Sequence, residues 1–215
     1  GDSSTSGGTL VIHPRYQPGF TTPQGKSFDF VSGRINTHHK MEFTFGCVSA
    51  RIRLTAGTGL WPAFWTLGNT GEWPNCGELD VMESVGEPDW ASVAVHGPGY
   101  SGETPLVNKK YFFPNHFTTD WHIYSLECTA NAGMIFKIDG ELVYRVTRPM
   151  VEFYGPWVFS APKFLILNCA LGGTYPYKTN GVRSPYYGIP ETTVHAIQNN
   201  DPKMLVDWVQ VTRME

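Results

Sequence analysis

Charge, paired cysteines and long apolar runs are all scarce in these 215 residues, and each scarcity excludes something. Only 16% of the residues are charged, and the formal net charge is −3. A general nucleic-acid binder would usually show a basic face, so that class is set aside. No apolar run approaches the ~20 residues of a membrane span, and no signal peptide is visible. The four cysteines, Cys47, Cys76, Cys128 and Cys169, include no CxxC pair. That excludes a zinc ribbon or a thioredoxin-type site. Three lie in or beside apolar runs, so all four are expected to be free thiols behaving as small hydrophobes. No internal repeat and no amphipathic helix longer than two turns is found, which sets solenoids and propellers aside.

What is present is glycine (23), proline (16) and an aromatic content of 14%. This mix favours short strands joined by tight turns. Residues Gly1 to Gly8 read as a flexible lead-in, and Thr9 to His13 as a short strand stopped by Pro14. From Glu42 to Leu54 one strand is expected, with Val48, Ala50, Ile52 and Leu54 on its buried face and Ser49, Arg51 and Arg53 on the other. Gly133 to Val146 reads as a hairpin. Met134, Phe136 and Ile138 alternate, Asp139-Gly140 turns, and Leu142, Tyr144 and Val146 alternate back. Lys163 to Leu171 and Met204 to Val211 are further strands. The expected fold is all-β: a two-sheet antiparallel sandwich of jelly-roll type, in one domain over residues 1–215.

One segment carries chemistry. In Glu78-Leu79-Asp80-Val81-Met82-Glu83, Glu78 and Asp80 are two apart and share a strand face. Glu83 follows Glu78 by five, and that odd spacing in a regular strand puts it on the opposite face. A one-residue β-bulge at Val81-Met82 restores the parity, and such bulges are common beside active sites. Glu78 and Glu83 then stand roughly 13 Å apart along the backbone. Long side chains leaning inward can narrow this to the ~5–5.5 Å between the carboxyls of a retaining glycosidase. Glu78 is the expected nucleophile and Glu83 the expected general acid/base. Asp80 lies between them and is placed to hydrogen-bond the nucleophile. Crowded carboxylates cannot all ionise easily, so at least one pKa is expected to rise. The plainer alternative is a solvated acidic strand face, but three acids so placed would repel one another for no gain.

These residues also resemble glycoside hydrolase family 16. The segment matches the E-[ILV]-D-x-x-E signature of that family in its bulged form. Gly59-Leu60-Trp61-Pro62-Ala63-Phe64-Trp65 is similar to the family's GxWPAxW run, and Trp73-Pro74-Asn75-Cys76-Gly77 to its WPxCGE lead-in. Ser32-Gly33-Arg34-Ile35 and Met204-Leu205-Val206-Asp207-Trp208-Val209 also look like family segments. The resemblance implies a curved β-jelly roll with a cleft on its concave face and retaining endo-hydrolysis. It assigns Glu78, Asp80 and Glu83 the same roles. The expected activity is that of a laminarinase-like endo-glucanase on β-1,3-linked or mixed β-1,3/1,4-linked glucan. Alternatives are the same chemistry on agarose or carrageenan, and a non-catalytic carbohydrate-binding sandwich. The family usually has a few dozen further residues before the Thr9–His13 strand, an edge strand among them, and that segment is expected to be lacking here.

Supporting residues follow in the same terms. Trp65 and Trp73 offer flat apolar faces suited to sugar rings. The alternative for each is core packing, and the resemblance places both in the cleft. Trp61 is balanced between core and cleft. His96 matches a family position facing the cleft. Arg34 is a candidate for sugar hydroxyls through its fork of donors. Tyr175 stands where the family often carries Trp. His38 and His39 read as loop residues. Asp207, an acid in an apolar strand, needs a partner. The resemblance implies a structural Ca²⁺ held by this Asp and a backbone carbonyl near Gly46. Catalysis itself requires no cofactor. The expected partner is a polysaccharide, met outside the cell by a monomer, with no nucleic acid and no membrane involved.

Overall fold

In a computed structural model that describes residues 3–6, 8–130 and 133–213, the apolar alternation of the sequence turns into strands with one buried face. In chain order they are β1 (Ser3–Ser6), β2 (Thr9–Ile12), β3 (Arg15–Thr21), β4 (Ser27–Val31), β5 (Arg34–Asn36), β6 (Glu42–Phe43), β7 (Gly46–Leu54) and β8 (Leu60–Gly68). There follow β9 (Glu78–Glu83), β10 (Trp90–His96), β11 (Val107–Phe112), β12 (His122–Thr129), β13 (Gly133–Ile138) and β14 (Glu141–Val146). The last part holds α1 (Arg148–Tyr154), β15 (Lys163–Leu171), α2 (Thr174–Asn180), α3 (Glu191–Gln198) and β16 (Met204–Thr212). The back sheet runs β1-β2-β16-β7-β12-β13-β14, and the cleft sheet runs β11-β10-β9-β8-β15-β5 with β6 also on β15. Strands β3 and β4 form a separate hairpin. All pairings are antiparallel, as the sandwich expectation requires.

The core lies between the two sheets. Val48, Ala50 and Ile52 of β7 and Tyr124 and Leu126 of β12 meet Leu79, Val81 and Met82 of β9 there, in one buried cluster. All four cysteines are free, and Cys76, Cys128 and Cys169 are buried, so they pack as small apolar groups.

Three expectations are corrected. Ser3–Ser6 is not a flexible lead-in but an edge strand paired to β2, from Ser6 opposite Thr9 to Ser3 opposite Ile12; Gly1, Asp2 and Gly7 lie outside the described residues. Ladder bonds are backbone bonds, so a run of Ser and Thr can pair without any apolar signal. The Glu42–Leu54 run is two strands. β6 pairs β15 in the cleft sheet, and after Thr44 and Phe45 the chain enters the back sheet as β7. The change of sheet passes through Gly46, whose φ is 133° and where a Cβ would lie 2.3 Å from the carbonyl oxygen of Thr212. The hairpin turn is at Asp139-Gly140, with φ of 52° and 83°, as its sequence demands. Its return strand is irregular, however. The register shifts between Phe136 and Lys137, so β14 buries Val143 and Val146 while Leu142 points out, 57% exposed.

Lys163, the first residue of β15, points into the sandwich and is 3% exposed. Its Nζ donates to three carbonyl oxygens, Phe159 at 2.8 Å, Ala161 at 3.0 Å and Thr44 at 3.1 Å. It thereby ties the loop before β15 to the point where the chain changes sheets. Burial pulls its pKa down. Lys163→Met would leave three carbonyls without their donor, at about 1–3 kcal/mol for each one that water cannot reach. We expect a loss of roughly 3 kcal/mol in urea unfolding at neutral pH; a loss under about 0.5 kcal/mol, the level of an ordinary surface change, would refute this role.

Candidate active site

The register of β9 against both neighbours places the three acids on one face. Against β8, Glu78 is opposite Leu67, Asp80 opposite Trp65 and Glu83 opposite Ala63. The pairing slips between Phe64 and Trp65, where Met82 and Asp80 are the partners and Val81 is passed over. Against β10, Asp80 is opposite Ala94 and Glu83 opposite Ser92, with a shift at the same place. The extra residue is therefore Val81. Val81 and Met82 both enter the inter-sheet core with no exposed surface. Glu78, Asp80 and Glu83 all face the groove on the other side, as the parity argument requires.

Each acid has a different environment. Glu83 is 8% exposed and accepts a bond from the indole Nε1 of Trp61 at 2.8 Å. Burial dominates over that donor and, with the charge of Glu78 adding to it, lifts the Glu83 pKa to about 7. Glu78 is also raised by burial, but three influences pull the other way. These are the Nε1–H of Trp73 at 2.6 Å, a hydrogen bond from Asp80, and the positive charge of Arg34. Asp80, 2% exposed, is pushed well above the ordinary carboxylate range by burial and by the two flanking glutamates. It therefore keeps its proton and can donate it to Glu78. His96 is held neutral, its pKa lowered by burial to about 4. Its Nδ1 accepts from the backbone N–H of Gly102 at 3.1 Å, so the ring proton is on Nε2, 3.3 Å from Oδ2 of Asp80 and 4.0 Å from Glu78.

Two cavities meet at these acids. One, of about 430 Å³, is lined by Arg34, Trp65 and Asn168; the other, of about 710 Å³, by Trp73, His96 and Tyr175. Trp61, Glu78 and Glu83 border both. None of the three tryptophans is a core residue. Trp73 is 49% exposed at the rim, and Trp61 and Trp65 are half-buried. The Arg34 guanidinium lies 4.9 Å over the Trp65 ring. Tyr175 sits on α2, edge-on to Trp61 with ring centroids 5.6 Å apart, and its hydroxyl lies 3.2 Å from Oγ of Ser92. It braces Trp61 more than it offers a free face. His38 and His39 lie in the turn after β5 and line neither cavity, with His38 stacked on Phe164.

Sequence reasoning missed Asn168 and Ser92. Asn168 lies opposite Arg34 and Ala63 and accepts from the Trp65 indole at 2.6 Å. A polar amide within the apolar run Phe164–Leu171 is a usable signal, of the same kind as an acid in the apolar strand around Asp207. Ser92 gave no such signal, since a serine in a strand is ordinary.

A family model for glycosyl hydrolases family 16 matches residues 8–183. The chain belongs to that family. It is 32% identical over 185 residues to a beta-glucanase of Rhodothermus marinus, covering 81% of this chain and 62% of that one. It thus spans less than two thirds of that relative. Among solved structures, the laminarinase catalytic domain of Thermotoga maritima superposes with a TM-score of 0.84 at 33% identity, covering 99% of this chain and 80% of that one. An endo-β-1,3-glucanase of Pyrococcus furiosus gives 0.84 at 37% identity, covering 97% and 76%.

The calcium site implied for Asp207 and Gly46 does not form in this family 16 chain. In the β7–β16 ladder Thr212 is opposite Cys47 and Trp208 opposite Arg51, with Asp207 the extra residue of a bulge. Gly46 is five residues from Arg51 along β7, so it lies about 17 Å from Asp207. An ion bound at ~2.3–2.6 Å cannot bridge them. The partner that Asp207 needed is Arg51, with Nη1 2.6 Å from Oδ2.

The Glu83 environment has a consequence for stability. Its folded pKa, about 7, lies above the ordinary 4.5, so the folded state holds this proton more tightly. Stability contributed by this group is present below 4.5 and is lost as pH rises through 7. Glu83→Gln should therefore stabilise the protein at pH above 7, by up to roughly 3 kcal/mol, and should give no gain at low pH. Urea titrations of both proteins at low and high pH check this. Equal stability of the two at high pH would contradict the buried-acid assignment.

Proposed function

We propose that this protein hydrolyses β-1,3-linked or mixed β-1,3/1,4-linked glucan by double displacement with retention. The observation that carries the proposal is the separation of two acids on one groove face. Glu83 keeps a proton up to about pH 7, while Trp73, Asp80 and Arg34 favour the ionised form of Glu78. Glu78 attacks the anomeric carbon as Glu83 gives its proton to the glycosidic oxygen, and the leaving chain departs as an alcohol. Water then attacks the same carbon. Glu83, now a carboxylate, takes a proton from that water, and Glu78 leaves as a carboxylate. Asp80 donates to Glu78 before attack, and His96, being neutral, puts no positive charge beside Asp80 that would strip it of that proton. Trp65, Trp73 and Arg34 line the groove for the sugar chain, Trp61 orients Glu83, and Tyr175 holds Trp61. The chemistry needs no metal, because carboxyl groups perform both proton transfer and attack. All of these groups come from one chain, so a monomer suffices. The proposal extends to action outside the cell, where a polysaccharide substrate would be met.

Laminarin, lichenan and agarose, each incubated with the protein, test the substrate class by the products formed. Oligosaccharides from laminarin are expected, with the β-anomer formed first in NMR spectra. Glu78→Gln should lower turnover on the order of 10⁴-fold while sugar binding persists. Release from agarose alone would move the substrate, and binding without release by the parent protein would make it a lectin.

The pH profile provides a second check. kcat/KM should fall as pH rises through about 7, where Glu83 loses its proton. The Trp61 indole favours ionised Glu83, so Trp61→Phe should move this limb to higher pH. A shift to lower pH would contradict the assignment.

A further inference from the structure

A third cavity, of about 470 Å³, lies beside the β3–β4 hairpin, lined by Phe28, Asp29, Phe30, Ser32, Leu171 and Tyr186 among others. Ser32 also lines the 430 Å³ cavity that the acids border, so the two spaces adjoin at that residue. The chain leaves the hairpin at Val31 and two residues past Ser32 enters β5, the edge of the cleft sheet, at Arg34. The third cavity thus carries the groove past the sheet edge on the Arg34 side.

The hairpin wall is built rather than loose. Phe30 stands edge-on to Tyr186 at 4.8 Å and to Tyr16 at 5.5 Å. The Tyr186 hydroxyl donates to Oδ2 of Asp29 at 2.7 Å, and the Gly19 N–H donates to Oδ1 at 3.3 Å. A lone two-stranded hairpin is marginal in water, so these contacts to Tyr186 fix it to the body. The chemistry left over suits a sugar. A carboxylate has about four lone-pair sites, and the bonds at Asp29 use two, which leaves acceptors for hydroxyl groups. Phe28 is 49% exposed and offers a flat apolar face. The Ser32 hydroxyl is buried with no partner among the described residues, and a turn about χ1 re-aims it.

We propose that this cavity is a further subsite of the groove, holding distal sugar units of the same β-glucan chain that is cut at Glu78 and Glu83. It rests on the hydrolytic reading above. Binding of a remote unit contributes to the reaction when it helps to hold the scissile bond in place, so its loss is felt only by chains long enough to reach it.

The test is kcat/KM on linear β-1,3-gluco-oligosaccharides of graded length, from about three to eight units. In the parent protein kcat/KM should climb with length until the hairpin cavity is filled. Phe28→Ala should lower it roughly tenfold on the longest chains, the size of a lost aromatic contact, and leave the shortest cleaved chain within about twofold. Asp29→Asn keeps an acceptor for the Tyr186 hydroxyl, gives up the longer bond from the Gly19 N–H, and should show a length-selective loss in the same direction. Cleavage by the parent protein with an unchanged length dependence in both variants, or an equal loss at every length, would overturn the subsite. Failure of the parent protein to cleave any β-glucan would instead overturn the hydrolytic reading, and the subsite with it.

Discussion

The period of two along a β-strand is the constraint on which the groove depends. Glu78 and Glu83 are five residues apart, and a regular strand would send one of them into the core. The bulge at Val81 sends Val81 and Met82 both inward and returns Glu83 outward. An ionised glutamate facing the core would be far more costly than the ladder bonds that a bulge disturbs. The hydrophobic demand of two successive apolar residues and the polar demand of the acids are met by the same irregularity. Its position is matched on both sides, since β8 and β10 each adjust their register there.

Desolvation then sorts the acids. All three sit where burial raises a carboxyl pKa, so burial alone would not distinguish them. The difference comes from the donors. Glu83 has one indole N–H opposing full burial, whereas Glu78 has an indole N–H, a protonated neighbour and a guanidinium. Asp80 has neither of its flanking charges in its favour and stays protonated. A neutral His96 completes this order, because an imidazolium there would favour ionised Asp80 and remove the proton that Glu78 accepts.

The all-β class, the Asp139-Gly140 turn and the bulged signature were legible because each is a local rule. Alternation, a turn needing positive φ, and strand parity are all visible within ten residues. What escaped was nonlocal. The Glu42–Leu54 run keeps its alternation across a change of sheet, because period two says which face is buried and not which sheet is joined. Ser3–Ser6 pairs through its backbone and advertises nothing. Gly46 and Asp207 resembled two ends of one ion site, but their distance is set by the β7–β16 register, which neither segment contains. Asn168 lay in plain view as an amide in an apolar strand, but only its place across from Arg34 gives it a role.

The tryptophans show why composition hinted at a groove without defining one. A tryptophan in a sandwich can bury its ring in the core, and a chain this rich in aromatics has many rings to bury. Here the indole N–H decides. Buried in the core, it would need a polar partner between two apolar sheet faces. On the groove face, carboxylates and an amide supply that partner: Glu83 for Trp61, Glu78 for Trp73 and Asn168 for Trp65. Each bond also fixes its ring, since an indole held at Nε1 cannot turn about its side-chain bonds without breaking it. The acids therefore position the aromatic surfaces just as the indoles restrain two of the acids. A substitution at either end disturbs both the proton balance and the shape of the groove face.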